Sequence, residues 1–435
     1  MGSEMCIRDS FRAYHLYMMH IMERILQFTQ KNSVEIAALI LAFALFGQVF
    51  FSSIVNVLSL DNRSVMLAFR LCLMLINTCY IIFFLLQKKV FSITFKPWII
   101  VTVIFWTMYT SRLFYDVFLA KVNLSVPLWE LLAWGLGSSL VSGLAAFLFA
   151  PFINLGRVLY KVIEFGVALL GISVICFAFQ PGLEQGGFYL DHLNAITAAN
   201  AGCSLVLLSV CSLIVRNDYL NPFCYSKYVS FLGIIIGSFI VVFSGTRGAI
   251  LAMIIISLFG IFFARRSSFF QFSFSASRLL LPFFLVIFIV GVTSYSDLLL
   301  DKLFTIRLWD TVFTRIEFWK LCLREFLTSP LYGIGFNIQS LLGSLEIEQG
   351  IYFPHNYIFE SLAIGGLLLT TPLVVCFMIP IIKIFNFKIL DFTHISLSLL
   401  AAQVIIYSMH NGHLGEYPAF WIILGLVAGR EEKLN

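Results

Sequence analysis

The chain has 435 residues, of which 60% are hydrophobic and 12% charged, with a formal net charge of +5. A soluble domain carries about 25% charged residues, so this composition excludes a water-soluble globular fold and indicates an all-α, polytopic integral membrane protein. Its nine cysteines are an odd number, and only Cys322 falls in the one large loop, which leaves it no evident disulfide partner; no nucleic-acid partner is expected.

About thirty residues precede the first long apolar run, so no cleavable signal peptide is predicted. Residues 1–10 share no pattern with the rest of the chain and are set aside, and 1–32 form an N-terminal segment. A bilayer core of about 30 Å takes about 20 apolar residues per helix, and on that measure about twelve spans are predicted. They cover 33–58, 64–86, 97–119, 128–150, 160–178, 194–215, 228–243, 248–264, 279–297, 356–380, 392–409 and 416–429, the last being short enough to tilt or lie partly at the interface. Spans one to nine thus occupy 33–297, a large loop 298–355 separates spans nine and ten, spans ten to twelve occupy 356–429, and 430–435 form a tail.

Charge sets the orientation. Arg8, Arg12, Arg24, Lys31, Lys88, Lys89, Lys96, Arg157, Lys161, Arg216, Lys227, Arg265, Arg266, Arg278, Lys383, Lys388, Arg430 and Lys433 fall on one side. The opposite connectors hold only Arg63, Lys121, Arg247, Lys302, Arg307, Arg315, Lys320 and Arg324. By the positive-inside rule both termini are cytoplasmic and the 298–355 loop is extracytoplasmic. Asp191-His192, just before span six, reads either as a polar cap on a helix start or as a further polar group on that outer side.

Three constellations share that outer side. Between spans seven and eight stands Ser244-Gly245-Thr246-Arg247-Gly248-Ala249. Its glycines let backbone approach a ligand closely, a helix N-terminus there favours an anion, and Arg247 adds a planar donor fork suited to phosphate. The plain alternative is a tight turn with a snorkelling arginine.

The second lies in the large loop, where Asp310–Leu327 reads as an amphipathic helix at about 100° per residue. Thr311, Val312, Phe318, Trp319, Cys322, Leu323 and Phe326 fall around Arg315, whereas Asp310, Glu317, Lys320 and Arg324 fall opposite. Arg315 therefore sits within the apolar stripe, where a buried charge needs a partner: a ligand phosphate, or Asp301 or Glu360. Ser329-Pro330 ends the helix.

The third is Pro354-His355-Asn356-Tyr357-Ile358-Phe359-Glu360, with Gly365-Gly366 behind it. Proline in a first turn puts His355 near the N-terminus of span ten, where the helix dipole disfavours imidazolium. A neutral histidine there can serve as a general base. Asn356 and Glu360 share a helix face, and a carboxylate one turn into the membrane is a candidate for function. His410-Asn411-Gly412-His413, with Glu416 and Tyr417, reads as a polar rim of the same cavity; two histidines three apart begin a metal site, but no further cluster completes it. In span three, Arg112 and Asp116 are four apart and most simply neutralise each other.

Together these motifs resemble the O-antigen ligase and O-antigen polymerase family of bacterial inner membranes. The matching residues are Ser244-Gly245-Thr246-Arg247-Gly248-Ala249, Arg315 with Trp319, Ser329-Pro330-Leu331-Tyr332-Gly333-Ile334-Gly335-Phe336, and His355-Asn356 with Gly366. Leu369 departs from the pattern, since the family usually has a further glycine there.

The resemblance covers about residues 240–375 and implies a metal-independent, inverting membrane glycosyltransferase with no cofactor. Its donor would be a glycan on undecaprenyl diphosphate presented at the periplasmic face. Its acceptor would be lipid A core (a ligase) or a growing glycan (a polymerase). By position, Arg247 and Arg315 would grip the diphosphate and His355 would deprotonate the acceptor hydroxyl, with Asn356, Glu360, Trp319, His410, His413 and Tyr417 lining the substrate site. A lipid-linked oligosaccharide flippase is the rival of another class. It would spread charge at mid-membrane over two similar halves, whereas here the long loop sits late in the chain and polar groups crowd one face.

Overall fold

The computed structural model describes residues 33–86, 97–178, 195–214, 225–244, 307–343, 353–386, 391–409 and 413–430, with isolated positions 246, 249, 252, 253 and 256. Over these residues it is helical, without strands. In chain order the helices are α1 (Ser33–Leu58), α2 (Asn62–Leu86) and α3 (Pro97–Phe114), the last running on through a π-helical turn at Tyr115–Leu119. Next, α4 strings together Leu128–Leu132, a π-helical stretch Ala133–Leu140 and Val141–Phe149. Then come α5 (Leu155–Ala178), α6 (Ala195–Ile214), α7 (Tyr225–Phe243), α8 (Arg307–Thr328), α9 (Asn337–Gly343), α10 (Tyr357–Phe385), α11 (Phe392–Ser408) and α12 (Pro418–Gly429).

Six of these, α1, α2, α4, α5, α6 and α10, are long and apolar enough to cross a membrane. Helix α3 with its π turn coincides with the expected third span, and α7, α11 and α12 are shorter apolar helices. The predicted span 279–297, and all but four positions of 248–264, lie outside the described residues, as does Asp191-His192.

The last predicted span is short in the structure as well. Helix α12 has 12 residues, a rise of about 18 Å at 1.5 Å per residue, against a bilayer core of about 30 Å. All of Ala419–Gly429 is buried within the protein, which is where a helix apolar on every side belongs.

The core is aromatic where α3, α4 and α12 meet: Trp421 packs on Phe105 at 5.4 Å and on Trp106 at 5.2 Å between ring centroids. Elsewhere small residues let backbones close in; a Cβ at Gly202 on α6 would lie 2.6 Å from the Gly237 carbonyl of α7, the kind of contact that holds helices together where lipid supplies no hydrophobic drive. Polar groups inside the bundle pair with one another. Gln403 of α11 donates to the Asn200 side chain at 2.6 Å and accepts from Ser204 at 3.0 Å.

One connection decides where α8 sits. Helix α10 is broken at Gly366, whose φ of 56° and ψ of −150° are not helical. The break frees two carbonyls and two amides, and the segment after α8 takes up all four. Ile334 N–H donates to Ala363 O at 2.8 Å and Gly335 N–H to Ile364 O at 3.1 Å. In return Leu367 N–H donates to Pro330 O at 2.9 Å and Leu368 N–H to Leu331 O at 3.2 Å. Gly333 and Gly366 have positive φ, and a Cβ on Gly366 would come 2.5 Å from Pro330 O. The Ser329–Gly335 motif is thus more than a helix stop: it is a backbone interlock that docks α8 onto α10.

Candidate active site

His355 precedes α10 rather than standing inside its first turn. The helix starts at Tyr357, and Asn356 is its N-cap, accepting from Ile358 N–H at 3.0 Å and Phe359 N–H at 3.2 Å. Capping residues of this type satisfy amides that a helix start leaves orphaned. The Asn356 amide also donates to Met409 O at 2.8 Å, tying the turn to the end of α11. Both polar ends of Asn356 are therefore engaged by the protein.

The His355 backbone has φ 54°, in the left-handed region that a non-glycine residue adopts only under constraint. Its ring is mostly buried, and Nδ1 has no hydrogen-bond partner among the described residues. Burial, and then the charge of Arg315, push its pKa down to about 4. The imidazole is thus neutral at pH 7, chiefly through desolvation and a nearby cation rather than through the helix dipole.

Arg315 reaches that neighbourhood from α8, whose observed span Arg307–Thr328 contains the predicted 310–327. Phe318 and Cys322, one turn and two turns on, are buried, and the Cys322 thiol is pushed up to about 12 by burial. Lys320 pairs with Glu317 at 2.7 Å and Arg324 with Glu325 at 2.9 Å on the exposed face. Leu323 departs from the predicted stripe and is exposed. Trp319 donates its indole N–H to Pro354 O at 3.0 Å and stacks on Phe359 at 5.4 Å. It fastens α8 to the residue before His355, which holds Arg315 where its charge is felt.

Glu360 does not meet Arg315. It is fully buried, with Oε2 accepting from Leu414 N–H at 3.2 Å and Oε1 lying 3.0 Å from His413 Nε2, off the line of a good hydrogen bond. Burial and the charge of Arg70 push the His413 pKa down to about 3, so this contact joins a neutral ring to a carboxyl and is not an ion pair. Gly415 N–H donates to His413 Nδ1 at 3.1 Å, which places the ring proton on Nε2. The Tyr109 hydroxyl lies 3.3 Å from that nitrogen, and the Phe353 ring 4.1 Å from the imidazole.

Of the expected rim, His413 and Tyr417 are buried, and Leu414 beside His413 meets Glu360 of α10. Tyr417 caps α12, stacks on Tyr407 at 4.4 Å and accepts from the Asn200 amide. Asp301, Arg247 and His410 lie outside the described residues.

Two features escaped the sequence. Arg70, on α2, sits 4.8 Å over the Trp134 ring and 3.4 Å from Glu416. Arg112 and Asp116 do pair, at 3.1 Å, but they also grip the interlock: Asp116 Oδ2 accepts from Phe336 N–H at 2.7 Å, and Arg112 donates to Tyr332 O at 3.2 Å. A charged pair one turn apart inside an apolar span was the available signal.

A bundle of helices, six of them long and apolar enough to cross a membrane, is the fold of a membrane protein. Residues 232–374 match the family model described as O-Antigen ligase, and that match supports the likeness to the O-antigen ligase and polymerase family. The matched stretch runs from within α7 through α8 to the broken middle of α10. No curated protein matches the chain. The family implies a glycosyltransferase-type enzyme acting on lipid-linked glycan and acceptor substrates in a bacterial membrane.

Proposed function

We propose that the protein transfers a glycan from undecaprenyl diphosphate to an acceptor hydroxyl at the periplasmic face of the inner membrane, as an O-antigen ligase whose acceptor is lipid A core. The observation that carries this reading is the seating of the connector helix that bears Arg315 beside His355, through Trp319 on Pro354 O at 3.0 Å and on the Phe359 ring at 5.4 Å. His355 takes the proton of the acceptor hydroxyl as its oxygen bonds to the anomeric carbon from the face opposite the donor linkage. The bond from that carbon to the diphosphate oxygen breaks, and undecaprenyl diphosphate departs with the electron pair. Arg315, with Arg247, stabilises the charge that develops on the leaving group, and inversion follows from the single displacement.

A pKa of about 4 makes His355 a weak base in the empty enzyme. The bound diphosphate offsets the charge of Arg315 and so lifts that pKa toward the working pH, where general-base catalysis is most effective. Purified protein incubated with lipid-linked donor and lipid A core tests the reading, with glycan-bearing product as the expected result. Product in which glycan repeats extend one another instead would make it a polymerase, and glycan movement across vesicles with no transfer at all would favour a flippase.

A further inference from the structure

We infer that Asp116 and Arg112 of α3 are positioning residues for the Arg315–His355 pair, acting through the loop that ends α8. The inference rests on the proposed role of His355 as base. Neither residue touches the reacting groups; their hold is on backbone. The Asp116 carboxylate is 1% exposed and accepts from Phe336 N–H at 2.7 Å, while Arg112 donates to Tyr332 O at 3.2 Å. These contacts flank Gly333, Ile334 and Gly335, the residues whose amides enter or brace the break in α10.

The loop leaves no slack on that side. A Cβ on Gly335, whose φ is 77°, would collide with the Asp116 carboxylate and the Arg112 guanidinium. Helix α8 is therefore fixed to α10 at two levels, by the Trp319–Pro354 bond beside His355 and by the interlock at its C-terminal end. Only the second level is tied to α3. Releasing it lets α8 pivot about Trp319, which changes the distance between Arg315 and His355 while leaving both in place. The π turn at Tyr115–Leu119 is what brings Asp116 round to the loop, and such insertions recur at functional sites.

Among the described residues, Glu360 lies against His413 and Leu414, and Glu416 against Arg70. A change in the His355 titration thus reports on the seating of α8, through the burial of the ring and the charge of Arg315. The test is an NMR titration of the His355 imidazole in the full-length detergent-solubilised protein, its signal assigned by subtraction with His355→Gln. Three variants are compared with the parent: Asp116→Ala, Asp116→Asn, which keeps an acceptor for Phe336 N–H, and Arg112→Lys, which keeps the charge but loses the fork that reaches Tyr332 O.

The expected result is a His355 pKa that rises toward the ordinary histidine value in Asp116→Ala, and in the same direction but less in Arg112→Lys. Asp116→Asn should stay near the parent. Transfer measured alongside should fall about tenfold or more in Asp116→Ala, mainly in kcat, with substantial rescue in Asp116→Asn. An unmoved His355 pKa in Asp116→Ala overturns the inference; if that variant does not fold, an unmoved value in Arg112→Lys does so. The titration needs no turnover, so a parent inactive in transfer would count against the proposed function and not against the coupling.

Discussion

Two histidines stand close to the start of α10, and the protein treats them in opposite ways. His413 is fully buried, with Nδ1 accepting from Gly415 N–H and Nε2 against Glu360 and Tyr109. His355 is partly exposed, sits on a strained backbone and leaves Nδ1 without a partner among the described residues. Both are neutral, at pKa values of about 3 and about 4, so the charge state does not separate them. What separates them is the use of their nitrogens. A ring with both nitrogens engaged is a structural strut, whereas a ring on a strained backbone whose Nδ1 meets no partner among the described residues is the one proposed to serve a ligand.

The sharpest way to break that contrast is to delete each ring in turn. His355→Ala should lower transfer by about 10²- to 10⁴-fold, the usual worth of a positioned general base, with donor KM little changed and the melting temperature in detergent unchanged or higher. His355→Gly should melt higher still while equally inactive, because glycine adopts φ 54° without strain. Full activity in His355→Ala would dissolve the distinction. Next in size is Arg315→Ala, expected to cost about 10²- to 10³-fold in kcat through lost stabilisation of the leaving charge. Arg315→Lys should recover part of it, since a point charge replaces a planar fork.

Much of this contrast was closed to the sequence, for physical reasons. Apolar runs announce spans because bilayer thickness fixes their length, and α8 was legible because its charges Glu317, Lys320 and Arg324 fall on one face. Pro354-His355-Asn356 marked a helix start, and the structure confirms a start there, but whether Asn356 caps the helix or binds a ligand depends on what its side chain meets. The pairing of Glu360 with His413 joins residues more than fifty positions apart and leaves no periodic trace. Likewise Gly333, Gly335 and Gly366 looked like turn and packing glycines; that they belong to one interlock appears only when the break in α10 is seen beside the loop. Arg112 and Asp116 were read correctly as a pair, yet their remaining donors and acceptors, which reach Tyr332 O and Phe336 N–H, are what matter to the site.

On the structural side of the contrast, His413→Leu should destabilise by about 1–3 kcal/mol, because it strands the Gly415 amide and takes the imidazole from the Tyr109 hydroxyl. Thermal unfolding of the purified protein reads this directly, and activity per folded molecule should stay within a few-fold of the parent. A stable His413→Leu with greatly reduced transfer would move His413 into the active site and undo the division drawn between the rings.

The smallest expected effect is the most discriminating. In the free enzyme His355 has its pKa lowered to about 4, so its base form is complete above that value and is lost as pH falls through it. The acid limb of kcat/KM, which reports the free enzyme, should therefore lie near pH 4. The limb of kcat, which reports the complex, should lie higher, because the bound diphosphate offsets Arg315. In Arg315→Ala the free-enzyme limb should also move up, since a cation that disfavours imidazolium has been removed, and the gap between the two limbs should narrow. His413 carries no spare nitrogen and should leave both limbs where they are when replaced. If the two limbs coincide in the parent, donor binding does not tune the base.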